Sequence, residues 1–119
     1  MKLKWITLLV KNLDESIKFY NEVLNLPIYS KFSAGANKIA MMGDVNKPKI
    51  ELIEQKDRRF VNFGEGVSIG LGVENLDKTI NELEKLGIEI SKIISPMENV
   101  KFCFINDPNN YKIQLIEEK

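Results

Sequence analysis

The chain has 119 residues, of which 44% are hydrophobic and 29% are charged, as expected for one small globular domain. Its net charge is zero and its lysines and glutamates alternate, which excludes the basic stripe that nucleic-acid binding requires. Histidine is absent, so the commonest transition-metal ligand and the usual general base near neutral pH are excluded as well.

The first predicted element is a strand over residues 5–10, a run made mostly of apolar side chains. This run is too short for the apolar part of a signal peptide, and no other run approaches the length of a membrane span. A helix is expected next, because Asn12 is a favourable N-cap residue and apolar residues follow it at helical spacing. Pro27 prevents further extension of the helix, and three more strands are predicted before residue 55.

The second half of the chain repeats the first at a constant offset, which indicates an internal duplication. The string NLD at residues 12–14 recurs at 75–77, and KIELIE at 49–54 recurs as KIQLIE at 112–117. Each half is therefore predicted to have the element order β-α-β-β-β. The predicted boundaries are module one at residues 1–55, a linker at 56–66 and module two at 67–119, within a single domain at 1–119.

Alternation along the predicted strands assigns their side chains to two faces. Bulky residues such as Leu8 and Ile69 occupy one face in both halves and should pack against the helix. In the second half the other face carries Ser68, Gly70 and Gly72, whose small size leaves space above the sheet. The pattern therefore predicts a ligand-binding cavity on this second face. Its predicted lining is Trp5, Thr7, Leu9, Glu51, Ile53, Ser68, Gly70, Gly72, Gln114 and Ile116.

The duplicated β-α-β-β-β unit, with DPNNYKIQLIEEK at residues 107–119, resembles the vicinal oxygen chelate superfamily. That superfamily includes glyoxalase I, bleomycin-resistance proteins, extradiol dioxygenases and thiol transferases acting on fosfomycin. The resemblance implies an α+β fold in which two tandem βαβββ modules form a curved mixed sheet around a cavity. In its metal-dependent members each half supplies a histidine that opens the first strand and a glutamate in the last strand. The corresponding positions here are Trp5 and Glu51 in the first half, and Ser68 and Gln114 in the second.

This departure from the family pattern argues against a tightly held metal. The indole of Trp5 has no lone pair available for a metal, and Ser68 offers only a neutral hydroxyl. Gln114 contributes a carbonyl oxygen without charge, so Glu51 is the single anion among the four positions. Zinc and nickel prefer several nitrogen, sulfur or carboxylate ligands, and magnesium or calcium needs several oxygens with compensating charge. We therefore expect no cofactor, and we do not expect glyoxalase I activity.

We interpret the sequence as a glyoxalase/bleomycin-resistance-like protein with a degenerate metal site that sequesters a small, partly apolar ligand. The alternative is a lyase, isomerase or transferase of the same superfamily, which uses Glu51 as a base or a weakly held divalent metal. A third interpretation is a module whose cavity is filled by Trp5 and which serves only in assembly. For Glu51, a structural hydrogen bond to Gln114, Ser68, Thr7 or water competes with both functional roles.

The partners and the location follow from the same observations. The resemblance implies a homodimer that binds a small molecule. Neither nucleic acid nor a membrane is expected, because the chain has no basic stripe and no long apolar run. Cys103 lies in the apolar run FCFI and is expected in the core, and a single cysteine with no leader segment indicates a cytoplasmic protein.

Overall fold

Each half of the chain forms a four-stranded mixed sheet accompanied by one helical segment. The computed structural model describes residues 1–57 and 62–119, and the chain divides into two compact units, Met1–Phe63 and Gly64–Lys119. The predicted linker at residues 56–66 lies partly outside the described residues. Within the described ranges, no helix is long and apolar enough to cross a membrane.

The first unit has the predicted order of elements. These are β1 (Trp5–Leu9), α1 (Leu13–Lys18), a π-helical turn (Phe19–Val23), β2 (Ile28–Ala34), β3 (Asn37–Met42) and β4 (Lys49–Glu54). Across the sheet the strand order is β1-β4-β3-β2, in which β1 runs parallel to β4 and the other neighbours are antiparallel. The pairing of the first strand with the last places the start of β1 directly beside the start of β4.

The second unit repeats this topology. Its elements are β5 (Ser68–Gly72), α2 (Leu76–Lys85), β6 (Ile94–Met97), β7 (Val100–Asn106) and β8 (Lys112–Glu118). The strand order is β5-β8-β7-β6, and β5 runs parallel to β8 as β1 does to β4. The predicted α+β class and the repeated β-α-β-β-β order are therefore confirmed.

The core of the first unit lies on the sheet face that α1 covers. Leu8 of β1 is paired with Leu52 of β4 on this face, and Ala40 of β3 is paired with Leu52 on its other side. All three side chains are almost fully buried, as is Tyr20 from the helical segment. Burial of one such leucine stabilises the fold by about 1.5–3 kcal/mol. Strand alternation assigns Ile6 to the same face as Leu8, but Ile6 is 39% exposed and lies outside this core.

The core of the second unit has the same arrangement. Ile113 and Leu115 of β8 are buried, and their register partners Ile69 and Cys103 lie beside them on β5 and β7. The predicted core position of Cys103 is confirmed, because its side chain is fully buried. Burial raises the pKa of the Cys103 thiol, so the thiol stays protonated and is a poor nucleophile.

Candidate functional site

The face of the first sheet that points away from α1, called the open face below, brings together the predicted ligand-binding residues of β1 and β4. The register pairs Trp5 with Lys49, Thr7 with Glu51, and Leu9 with Ile53. Because these positions alternate with the buried core residues of both strands, their side chains lie on the face away from α1. The structure therefore places all five predicted residues of the first half on one face, and it adds Lys49 to them.

Glu51 has a hydrogen-bond partner on this face. The Thr7 hydroxyl donates to Glu51 Oε1 across the β1–β4 pair, with an O···O distance of 2.6 Å. This distance lies within the usual range for an O–H···O hydrogen bond. On the other side of Glu51, the register partner from β3 is Met41, which is buried. Thr7, one of the partners that the sequence offers for Glu51, is therefore a partner of that carboxylate in the structure.

Trp5 is accessible from solvent although it lies in a strand. Its side chain is 49% exposed, and Tyr29 at the start of β2 is 55% exposed. The two aromatic residues line one groove of the first unit together with Met41. An exposed indole offers a flat surface on which a planar or cationic group can stack. Trp5 is therefore available to a ligand within the first unit.

The open face of the second sheet is lined by small residues. The register places Ser68 beside Lys112, Gly70 beside Gln114, and Gly72 beside Ile116. A Cβ atom at Gly72 would meet no other atom within 4 Å, and one at Gly70 would lie 3.6 Å from Gln114 Oε1. Phe104 of β7 is the register partner of Gln114. Strand alternation alone does not determine on which face of the sheet the Phe104 side chain lies. The space above Gly72 is thus open, whereas the Gln114 side chain lies within contact distance above Gly70.

The donor atoms at the family's metal positions do not fit a divalent ion. In the first unit Trp5 offers no lone pair, and Glu51 already accepts the hydrogen bond from Thr7. In the second unit Ser68 and Gln114 are both neutral. Within residues 1–57 and 62–119, no three His, Cys, Asp or Glu side chains are grouped so that they could hold a metal ion. A structural or catalytic metal requires a stronger set of donors than either unit supplies.

Two further carboxylates, which sequence analysis missed, bind the N-termini of the helices. Glu54 Oε1 accepts the N–H of Leu13, and Glu117 Oε1 accepts the N–H of Leu76, each at 2.8 Å. These N–H groups belong to the first residues of α1 and α2 and have no partner within the helix. A carboxylate at this position also interacts favourably with the positive end of the helix dipole.

The two N-cap asparagines complete this arrangement. Asn12 Oδ1 accepts the N–H of Glu15 at 2.9 Å, and Asn75 Oδ1 accepts the N–H of Lys78 at 3.0 Å. Each helix start therefore uses one asparagine and one glutamate from the last strand. The sequence signal for this role is that KIELIE and KIQLIE share their final glutamate but differ at their third position, Glu51 against Gln114.

Comparisons with known proteins agree with the topology. The family model described as Glyoxalase/Bleomycin resistance protein/Dioxygenase superfamily matches residues 2–115. Lactoylglutathione lyase of Neisseria meningitidis serogroup A is 24% identical over 127 residues, which cover 100% of this chain and 92% of the relative. The trypanothione-dependent glyoxalase I of Leishmania major has a TM-score of 0.84 at 22% identity. The match covers 99% of this chain and 87% of the Leishmania chain. TnmS3, an antibiotic binding protein from Streptomyces sp. CB03234, has a TM-score of 0.83 at 11% identity. The match covers 100% of this chain and 97% of TnmS3.

Proposed function

Because the chain belongs to the glyoxalase/bleomycin resistance protein/dioxygenase superfamily, we propose that it binds a small, partly apolar molecule without a resident metal. The observation that carries the proposal is the combination, on one open strand face, of an accessible indole and a carboxylate held by a neighbouring hydroxyl. Trp5 supplies the indole, and Thr7 and Glu51 supply the hydrogen-bonded pair. Small-molecule binding is also what the description of TnmS3 as an antibiotic binding protein states for that protein.

Each residue of the face has a physical role in this proposal. The Trp5 ring stacks on the planar part of the ligand, and Leu9 and Ile53 contact its apolar part. Glu51 accepts a hydrogen bond from an amine or hydroxyl of the ligand, while Thr7 fixes the direction of the carboxylate. In the second unit we propose the same use of the open face. The residues concerned are Ser68, Gly70, Gly72, Gln114 and Ile116.

The proposal includes a cytoplasmic location and a homodimer. The single cysteine, Cys103, is consistent with a reducing compartment. The strand β2 lies at the edge of its sheet and exposes Ile28, Tyr29 and Phe32, each about half. An exposed apolar edge strand is a surface on which a second copy of the chain can pack.

A lyase, isomerase or transferase is the second candidate function. The observation that favours it is the position of Glu51 on the open face, where a carboxylate can accept a proton from a substrate carbon next to a carbonyl. The relative from Neisseria meningitidis is named as a lyase. This candidate requires that Glu51→Gln abolishes turnover of a carbonyl substrate while the far-ultraviolet circular dichroism and the melting temperature stay unchanged.

The binding proposal predicts ligand-dependent stabilisation that a chelator does not affect. Screened against a panel of small aromatic metabolites and antibiotics by thermal shift, the protein should show a ligand that raises its melting temperature. At a ligand concentration of about 100 times Kd the expected rise is roughly 10 °C, because binding to the native state adds about 2.7 kcal/mol to its stability. The rise should be the same with and without EDTA.

The matched variants are Trp5→Ala and, as a control away from both open faces, Leu86→Ala at the end of α2. Because both residues are about half-exposed, neither replacement should lower the free energy of unfolding by more than about 1 kcal/mol. Trp5→Ala should remove the ligand-induced rise in melting temperature, whereas Leu86→Ala should leave it intact. A rise that EDTA eliminates, or one that Trp5→Ala leaves intact, would contradict the proposal.

A further inference from the structure

The first unit has a groove where β1 and β4 begin, with a volume of about 760 Å³. This volume lies within the range of about 300–1,000 Å³ that is usual for small-molecule sites. Four lysines line the groove, and within the described part of the chain no acidic side chain does. They are Lys2, Lys4, Lys47 and Lys49.

The parallel pairing of β1 and β4 creates this cluster. The backbone N–H of Lys49 donates to the carbonyl of Lys4 at 3.0 Å, so two distant segments of the chain meet at the groove. Some lysines outside the groove have acidic partners, for example Lys101, whose Nζ lies 3.2 Å from Asp77 Oδ2. Across residues 1–57 and 62–119, Lys2, Lys4 and Lys47 have no such partner. The groove therefore carries a local positive charge although the chain as a whole is neutral.

One of these ammonium groups, that of Lys49, lies beside an aromatic ring. The Lys49 Nζ is 4.7 Å from the centroid of the Tyr29 ring, which is a cation–π distance, and it also donates to the carbonyl of Lys47. Trp5 and Tyr29 both line the groove and are about half-exposed. Flat apolar surface next to unpaired positive charge is the chemistry that recognises an aromatic ring bearing an anionic group.

We propose that this groove binds a small aromatic anion of the aryl phosphate class. The ring packs against Trp5 and Tyr29, and the phosphate lies among the ammonium groups of Lys2, Lys4 and Lys47. This goes beyond the function proposed above, because Glu51 is not part of the groove lining and the ligand carries the charge that Glu51 would repel. Single-stranded nucleic acid presents similar chemistry, but a groove of this volume in a neutral protein favours a small molecule.

The test uses Trp5 itself, because it is the single tryptophan of the chain and its fluorescence reports on the groove directly. Titration with phenyl phosphate at low salt should give a saturable change in emission. The dissociation constant should rise with salt, since the Debye length falls from about 30 Å at 0.01 M to about 3 Å at 1 M. Benzyl alcohol, which has the ring without the charge, should bind at least about tenfold more weakly.

Lysine variants test whether the groove lysines, and not lysines in general, bind phenyl phosphate. Lys4→Gln combined with Lys47→Gln should weaken phenyl phosphate binding about tenfold, whereas Lys4→Arg with Lys47→Arg should retain it. The control pair Lys78→Gln with Lys92→Gln removes two exposed lysines of the second unit and should bind like the parent. Circular dichroism of every variant confirms that the fold is kept.

Several outcomes would overturn the inference. These are the absence of a saturable change with phenyl phosphate, an equal loss of affinity in the control pair, and tighter binding of a short oligothymidylate than of phenyl phosphate. Glu51→Gln removes a negative charge that repels the phosphate, so phenyl phosphate should bind as tightly or more tightly, and a loss of affinity in that variant would also contradict the inference. A metabolite that stabilises the protein through Trp5 and Glu51, without phenyl phosphate binding, would support the proposed function and refute this inference alone.

Discussion

Replacing Glu117 with alanine should lower the free energy of unfolding by about 3 kcal/mol. The replacement removes the acceptor for the Leu76 N–H, and a buried donor left without a partner costs about 1–3 kcal/mol. It also removes a side chain whose residue is only 6% exposed and leaves a cavity. Urea denaturation followed by circular dichroism measures the change, with the melting temperature as a second readout.

Two controls accompany this prediction, one at the same position and one at the equivalent position of the first unit. Glu117→Gln keeps an oxygen acceptor for the same N–H and should cost about 1 kcal/mol. Glu54→Ala removes the equivalent carboxylate of the first unit, but the Glu54 side chain is 25% exposed against 8% for Glu117, so its loss should be smaller. Equal losses for the alanine and glutamine variants, or a larger loss at Glu54, would contradict the helix-binding role of Glu117.

Gly64→Ala should be among the most destabilising substitutions in the chain, with a loss of about 3 kcal/mol or more. A Cβ atom at this position would lie 2.7 Å from the carbonyl oxygen of Asn110 and 2.8 Å from that of Asn109. Both contacts are with backbone atoms, which cannot move away without distorting the turn between β7 and β8. The φ angle of +84° adds a further cost of about 1–2 kcal/mol for a residue with a side chain.

Gly66→Ala is the matched control because it shares the backbone strain but not the close approach. Its φ angle is +74°, and a Cβ atom there would meet nothing within 4 Å. The expected loss is therefore only about 1–2 kcal/mol, and the difference between the two variants measures the steric part. Indistinguishable unfolding midpoints for the two alanine variants would refute the packing of Gly64 against the Asn109–Asn110 backbone.

Much of the open face could be predicted because strand alternation has a period of two. Knowing that Leu8 is a core residue is enough to place Thr7 and Leu9 on the opposite face. The duplication then extends the same assignment to Ser68 and Gly70. The choice of Thr7 as the partner of Glu51 could not be predicted, because it depends on the register between β1 and β4 rather than on either strand alone.

The roles of Glu117 and the lysine groove depend on contacts between distant parts of the chain. Glu117 appears in the sequence as one more charged residue at the end of a strand, and only the approach of α2 gives it a backbone donor. Lys4 and Lys47 are far apart in the sequence, and the neutral composition conceals the cluster that β1–β4 pairing creates. Local patterns define faces and turns, whereas the partners of polar groups are set by tertiary packing.

Metal content is the most direct test of a degenerate metal site, because Trp5 and Ser68 stand at the positions that correspond to metal-binding histidines in the metal-dependent members of the family. The protein should be incubated with nickel, zinc or iron, dialysed, and assayed by elemental analysis beside the Glu51→Ala variant. Neither protein should retain a stoichiometric amount of any of the three metals, because the donor set is too weak to hold one. Retention of one equivalent per chain by the parent, lost in Glu51→Ala, would contradict this expectation.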